Sequence, residues 1–316
     1  MVKILQDNHQ DVIWCVRSEK MRDHIRSRHH NPKYLSSVYF SDDRLEVTTD
    51  PAKVYDRVDA VVLAVPSAYV LSYIQEHAAL IIERSVKIIS AVKGILPESN
   101  VLLNDYLINS FGFDPRKYFT IMGPCHAEEV AAEKLSYLTF AGYDIQEAQN
   151  IASCFKTAYI NTVSSNDVRG VQYAAVLKNI YAMGTGIAHG LGYGDNFQSV
   201  LIANAAGEMK PFLQSLATKD GINYAASVYL GDLLVTCYSL FSRNRSFGNM
   251  IGKGYSVDAA KLSMQMVAEG YPASKAMFQI NEKIGVRMPI AAAVYDILWN
   301  GKDPAHAFED LEQLLY

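Results

Sequence analysis

One lysine stands alone in an apolar stretch. In Val171-Gln172-Tyr173-Ala174-Ala175-Val176-Leu177-Lys178-Asn179-Ile180-Tyr181-Ala182-Met183, alanine, valine, leucine, isoleucine and tyrosine surround Lys178 on every helical face. It is also the only formally charged side chain between Arg169 and Asp195. A helix apolar all round belongs in the core of a large protein. Burial would strip water from the ammonium and lower its pKa, so that Lys178 could pass a proton to a substrate oxygen near neutral pH. The alternative is structural: the stem packs inside and the head reaches water. For such a stretch taken by itself, the structural reading is the commoner one.

Lys93 is a second candidate. It is the sole charge in 88–97 and sits just past a segment, 86–91, that reads as a buried strand. An ordinary loop lysine fits that position equally well. The four cysteines, Cys15, Cys125, Cys154 and Cys237, lie far apart and form no C-x-x-C pair. That suits reduced thiols in a cytoplasm and neither a disulfide frame nor a zinc site. Among the eight histidines only His29-His30 are adjacent, so no metal is expected.

The elements that must position these residues follow from the pattern. Runs at 11–16, 45–48, 58–65, 86–91 and 119–122 read as strands, and 67–82 as an amphipathic helix. Ser18 is a fitting N-cap for a helix that follows the first of these strands. Strand–helix alternation implies βαβ units around a mainly parallel sheet, whose ligands bind at the carboxyl ends of the strands. The turns to watch are therefore Arg17-Ser18, Pro66-Ser67, Lys93-Gly94 and Gly123-Pro124-Cys125-His126-Ala127. Past Ser164-Ser165-Asn166-Asp167 the pattern becomes helical, with candidates at 167–190, 196–217, 256–268, 272–285, 289–299 and 303–315. The expected domains are 1–165 and 166–316. A chain of 316 residues suffices for two.

Composition narrows the partners. Half the residues are hydrophobic and a fifth charged, as in an ordinary globular protein. A net charge of −4 with no long Lys/Arg run argues against nucleic acid. No stretch approaches the ~20 apolar residues of a membrane span. The opening MVKILQDNHQD turns polar too early for a signal peptide, so a cytoplasmic location is expected.

One motif is missing. A dinucleotide domain should carry G-x-G-x-x-G after its first strand, yet the only glycines before residue 120 are Gly94 and Gly112. The first residues, 1–6, read as the tail of a helix leading into the strand at Val12. The strand and glycine turn that should precede that helix are not in the sequence.

The remaining motifs resemble those of the bacterial-type NAD(P)-dependent sn-glycerol-3-phosphate dehydrogenases. The segments are Asn31-Pro32-Lys33-Tyr34-Leu35, Val65-Pro66-Ser67, Val92-Lys93-Gly94-Ile95 and Gly123-Pro124-Cys125-His126-Ala127-Glu128-Glu129-Val130. They continue with Leu177-Lys178-Asn179, Gly192-Tyr193-Gly194-Asp195-Asn196, Gly231-Asp232-Leu233, Ser242-Arg243-Asn244-Arg245-Ser246-Phe247-Gly248 and Ala268-Glu269-Gly270. Each is short; their order and separations make the resemblance specific along nearly the whole chain. It implies an α/β N-terminal Rossmann-type domain, here with its first βα unit missing, followed by an all-α C-terminal domain. The implied reaction is reversible reduction of dihydroxyacetone phosphate to sn-glycerol 3-phosphate, feeding glycerophospholipid synthesis. The implied cofactor is NADP or NAD, and a homodimer through the helical domain is compatible with the family.

The resemblance also assigns roles. Lys178 matches the general acid/base and a substrate contact, and Asp232 the aspartate facing it. Lys93 matches a lysine that touches cofactor and substrate. Gly123 and Cys125 match the substrate loop, and Ala127 its cofactor-contacting neighbour. Ser242, Arg243 and Asn244 match the phosphate-end contacts, with Arg243 also reaching the cofactor. Val267 and Glu269 match residues near the cofactor's far end, and Arg17 the arginine after the second strand of the family's sheet. Elementary chemistry agrees in part: an arginine fork with small donors suits a phosphate, although Ser-Arg-Asn-Arg alone is more commonly a solvated turn. An arginine at position 17 suits a ribose 2′-phosphate, which favours NADPH. Cys125 departs from the family's usual serine or threonine, and a thiol is the weaker donor.

Three readings result. The first is the stated oxidoreductase. The second is a catalytically impaired, N-terminally truncated remnant kept for self-association, which would fold poorly or bind dinucleotide weakly because strands near Val12 and Val61 lose a shared neighbour. The third is a related β-hydroxyacid dehydrogenase, against which the Ser242-to-Gly248 segment argues.

Overall fold

The computed structural model describes residues 1–96, 99–217, 221–264, 266 and 268–316. These form two compact units: Met1–Val92 with Asn104–Val168, and Lys93–Leu103 with Arg169–Tyr316. The segment that begins at Lys93 thus belongs with the second unit although the first surrounds it in sequence.

The first unit alternates helix and strand. It runs α1 (Val2–Asp7), β1 (Val12–Cys15), α2 (Glu19–Arg28), β2 (Leu45–Thr48), α3 (Pro51–Tyr55), β3 (Ala60–Leu63), α4 (Ser67–Arg84) and β4 (Lys87–Ser90). It continues with α5 (Leu103–Phe111), β5 (Tyr118–Met122), α6 (Ala127–Ala131), β6 (Ser136–Gly142), α7 (Ile145–Ser153) and β7 (Ile160–Ser165). Ser18 caps α2 as the sequence suggested, its Oγ accepting from the Met21 N–H at 3.3 Å. The core is built by Ile89, Phe119, Ile121, Leu138, Phe140, Phe155 and Ile160, with Ile4 of α1 pressed against them.

β1 and β2 pair in parallel. A separate sheet has the order β3-β4-β5-β6-β7, parallel except for the antiparallel β5–β6 step. Among the described residues β1 pairs only with β2, and β3 only with β4. Each keeps an unpaired edge, beside the Val12 and Val61 strands where the sequence implied an interruption. The sequence did not foresee β6 or β7. Ile160-Asn161-Thr162-Val163-Ser164-Ser165 is too polar to read as a strand by itself. It becomes one because β6 supplies its ladder, from Ser136 against Ile160 to Ala141 against Ser165.

The second unit is helical: α8 (Val168–Gly190), α9 (Asp195–Leu216), a π-helical turn (Ser227–Gly231), α10 (Asp232–Tyr238), α11 (Arg243–Gly252), α12 (Val257–Ser263), α13 (Gly270–Ile284), α14 (Pro289–Trp299) and α15 (Pro304–Glu312). α10 and α11 were not foreseen, and α12 stops short of the expected 268. The Ser-Arg-Asn-Arg run, ambiguous in the sequence, opens α11. α8 is buried on all sides, with Val171, Ala175, Leu177, Ile180, Tyr181, Met183 and Ile187 inaccessible to solvent.

Glu208 shows how this unit treats a buried charge. It lies on the inward face of α9 with Leu201, Ala205, Met209 and Phe212. Its carboxylate accepts from the Ile290 N–H, and from the Ala291 N–H at 3.3 Å. Those are first-turn donors of α14 that no intrahelical carbonyl can satisfy. Burial dominates nonetheless and pushes the Glu208 pKa from 4.5 up to about 7; the two backbone donors, the Tyr181 phenol and Arg287 pull the other way. A carboxyl raised in this way favours the native state below its ordinary pKa, and that contribution is lost as pH rises through about 7. Stability of Glu208→Gln relative to wild type should therefore rise by on the order of 3 kcal/mol between about pH 4 and about pH 8. Denaturant titrations at both pH values check this, and a flat difference would contradict it.

Candidate active site

The Lys178 side chain is 5% exposed and that of Asp232 is 1% exposed, and the Lys178 ammonium donates to Asp232 Oδ1. α8 carries the lysine because its apolar surround drives the helix inside. Asp232 arrives from the π-helical turn as the first residue of α10. Its main-chain carbonyl accepts from Thr236 Oγ1 at 2.6 Å, which ties the next turn of α10 to it. Asp232 Oδ2 is buried and has no hydrogen-bond partner among the described residues. A buried carboxylate oxygen left unpaired costs free energy until a donor reaches it.

The Lys178 pKa falls from 10.5 to about 8. Desolvation is the largest cause, the Asp232 carboxylate opposes it, and the positive charge of half-buried Lys93 lowers it further. Lys93 thus matters chemically to α8: its charge eases the release of a proton from the buried ammonium. Lys178 can hold a proton at neutral pH and release it just above. Nearby Cys237, also on α10, is pushed up to about 12, chiefly by burial, and stays a thiol. It adds no competing charge at neutral pH.

At the start of α11, Ser242 Oγ accepts from the Arg245 N–H at 3.3 Å as the N-cap, and Arg243 is exposed. Asn244 is buried, and its Oδ1 accepts from the Gly270 N–H at 2.9 Å. Its carbonyl end is therefore committed to the protein, and a phosphate contact would have to use Nδ2. Glu269 immediately precedes α13. Val267 lies outside the described residues.

In the first unit, exposed Arg17 follows β1 by two residues. Gly123 ends β5 with φ +126, and a Cβ there would lie 2.8 Å from the Tyr137 carbonyl oxygen, so only glycine fits. Cys125 is half-buried, packs on the core and interacts with the Met1 ammonium. Ala127 opens α6. The second unit thus brings Lys178, Asp232 and Lys93 together, while Arg17, Gly123, Cys125 and Ala127 belong to the first.

Residues 1–148 match the family described as NAD-dependent glycerol-3-phosphate dehydrogenase N-terminus, and residues 167–309 match the C-terminus of the same family. The chain belongs to the NAD-dependent glycerol-3-phosphate dehydrogenases. A glycerol-3-phosphate dehydrogenase [NAD(P)+] of Enterococcus faecalis is 32% identical, over 98% of this chain and 91% of the relative. One from Bacillus pumilus is 33% identical, over 98% and 89%. The solved glycerol-3-phosphate dehydrogenase of Coxiella burnetii superposes with a TM-score of 0.89 at 26% identity, over 98% of this chain and 93% of that one. The resemblance read from the motifs, the two-part fold and the enzyme class are thereby borne out.

For a glycerol-3-phosphate dehydrogenase the cofactor is NAD or NADP. The residues present fit its adenosine end, since exposed Arg17 stands just past a parallel strand where a ribose or its 2′-phosphate is bound in such sheets.

Sequence reading missed Thr236, Cys237, Tyr181 and Glu208. Glu208 left a signal, an acid at i+3 and i+7 on an apolar helical stripe; Thr236 and Cys237 left none, because α10 itself was not foreseen. Competitive acetylation of the full chain should show Lys178 titrating near pH 8. Asp232→Asn should lower that midpoint, because it removes the charge that raises it; an unchanged midpoint would refute the coupling.

Proposed function

We propose that Lys178 is the proton donor in NAD(P)H-dependent reduction of dihydroxyacetone phosphate to sn-glycerol 3-phosphate, the reaction of the family to which the chain belongs. The observation that carries this reading is the buried Lys178–Asp232 pair, with one carboxylate oxygen unpartnered among the described residues. Bound NAD(P)H supplies the hydride. Lys178 gives its proton to the carbonyl oxygen as negative charge develops there, becomes a neutral amine, and regains a proton from solvent. In the reverse direction the neutral amine takes the proton of the secondary hydroxyl. Asp232 keeps the amine in place and stops its pKa from falling too far. Burial, with the like charge of Lys93 added, holds the pKa low enough for release.

Ser242, Arg243 and Asn244 receive the substrate phosphate in this proposal: a guanidinium for its charge and small donors for its remaining oxygens. Gly123 and Cys125 contact the substrate, and Ala127 and Glu269 the cofactor. Lys93 and Arg243 touch both. Arg17 selects the 2′-phosphate and so favours NADPH. A homodimer and a cytoplasmic location go with this reading; among the described residues no helix is long and apolar enough to cross a membrane.

Replacing Lys178 by alanine should lower turnover by about 10³-fold with cofactor affinity unchanged. Reduction needs the protonated lysine, so its kcat/KM should fall as pH rises through about 8, while that of oxidation should rise. Parallel limbs in the two directions would remove Lys178 from the role.

A second reading, an impaired enzyme, is favoured by one observation: among the described residues β1 pairs only with β2 and β3 only with β4, so the two strands share no neighbour. It leads us to expect calorimetric titration of this chain with NADPH to give a Kd above the micromolar range. Micromolar binding would dismiss the impairment.

A further inference from the structure

α8 and α11 touch main chain to main chain. Gly186 and Gly190 stand about one turn apart on α8, as Gly248 and Gly252 do on α11. A Cβ at Gly186 would fall 2.1 Å from the Arg245 carbonyl oxygen and 2.8 Å from the Asn249 nitrogen. One at Gly248 would fall 2.1 Å from the Met183 carbonyl oxygen, and one at Gly252 2.2 Å from that of Ile187. The obstructing atoms are backbone, so the helices themselves would have to part. A second contact lies nearer their functional ends. Asn244 Oδ1 holds the Gly270 N–H, and a Cβ on Gly270 would lie 2.6 Å from the Asn179 carbonyl oxygen.

The two helices are thus fixed relative to one another at two places. Lys178 immediately precedes Asn179, and Arg243 immediately precedes Asn244. Lys178 lies five residues before Met183, and Arg243 two residues before Arg245, the first main-chain contacts of the two helices at the crossing. Neither lever arm is long enough to bend appreciably, at about 7.5 Å of helix for Lys178 and about 3 Å for Arg243. Beside Lys178, Asp232 Oδ2 is buried without a hydrogen-bond partner among the described residues.

We propose that this glycine crossing, locked at Gly270, sets the spacing between the Lys178 ammonium and the Arg243 guanidinium, and thereby the preference for a phosphorylated three-carbon substrate over its unphosphorylated counterpart. The glycines are positioning residues; they touch no substrate. The inference rests on the roles given above to Lys178 and Arg243. A displacement near 1 Å at a positioned group is enough to cost a large factor in productive binding.

The test compares affinities of this chain for sn-glycerol 3-phosphate and for glycerol by ligand-observed NMR, alongside kcat/KM for dihydroxyacetone phosphate and dihydroxyacetone. Gly248→Ala should weaken sn-glycerol 3-phosphate about tenfold and leave glycerol unchanged. Gly190→Ala, at the last residue of α8 where the chain can yield, should do the same about threefold; it decides the matter if Gly248→Ala does not fold. Gly207→Ala on α9, where a Cβ meets nothing within 4 Å, should change neither ligand. If Arg243→Ala abolishes the phosphate preference while folded glycine variants keep it, the crossing has no such role. If Arg243→Ala keeps the preference, or wild type shows none, the reading of Arg243 falls and this inference with it. Equal loss of both ligands in the glycine variants would mark a general packing defect and also overturn it.

Discussion

A charge pair sealed from water governs the helical unit. Moving an ammonium and a carboxylate into a protein interior costs several kcal/mol per ion, and only close pairing with further hydrogen bonds offsets it. Lys178 and Asp232 meet the first requirement and leave the second incomplete, since Asp232 Oδ2 has no partner among the described residues. Such an arrangement is poor for stability and suited to receiving a ligand. Lys93 sharpens it by adding like charge from a segment that folds with the helical unit.

α8 ties the unit's features together. Lys178 and Tyr181, three residues apart, share one side of it, and Tyr181 faces the Glu208 carboxylate that caps α14. Further along, Gly186 and Gly190 admit the backbone of α11. One helix therefore holds the proposed proton donor, takes part in the burial of a second titratable group, and sets how closely the proposed phosphate-binding element approaches. Its apolar surface makes this possible: a helix in contact with protein on every side has no freedom to shift, because close-packed interiors do not deform continuously.

The sheet-bearing unit was legible where a strand's own residues decide. The runs containing Val61, Ile88 and Ile121 are apolar enough to be strands in almost any setting. β7 was not legible, because polar Asn161, Thr162 and Ser164 become strand only through pairing with β6. The interruption between β1 and β3 was readable from the missing glycine turn. The positive φ of Gly123 and the close approach of the Tyr137 carbonyl to it were not, because that approach involves a strand fourteen residues away.

Sequence by itself determined the family, the enzyme class, the two-part architecture and the buried course of α8, since each follows from residue types in order or from apolar periodicity. Tertiary structure decided which groups share a microenvironment. It put Asp232 against Lys178 across fifty-four positions, brought Lys93 into the helical unit, committed the Asn244 carbonyl to Gly270, and turned Glu208 into a cap for a helix eighty-two residues on. The physical reason is range: propensity and periodicity act within a turn or two, whereas desolvation and charge coupling depend on distances that only the packed chain defines.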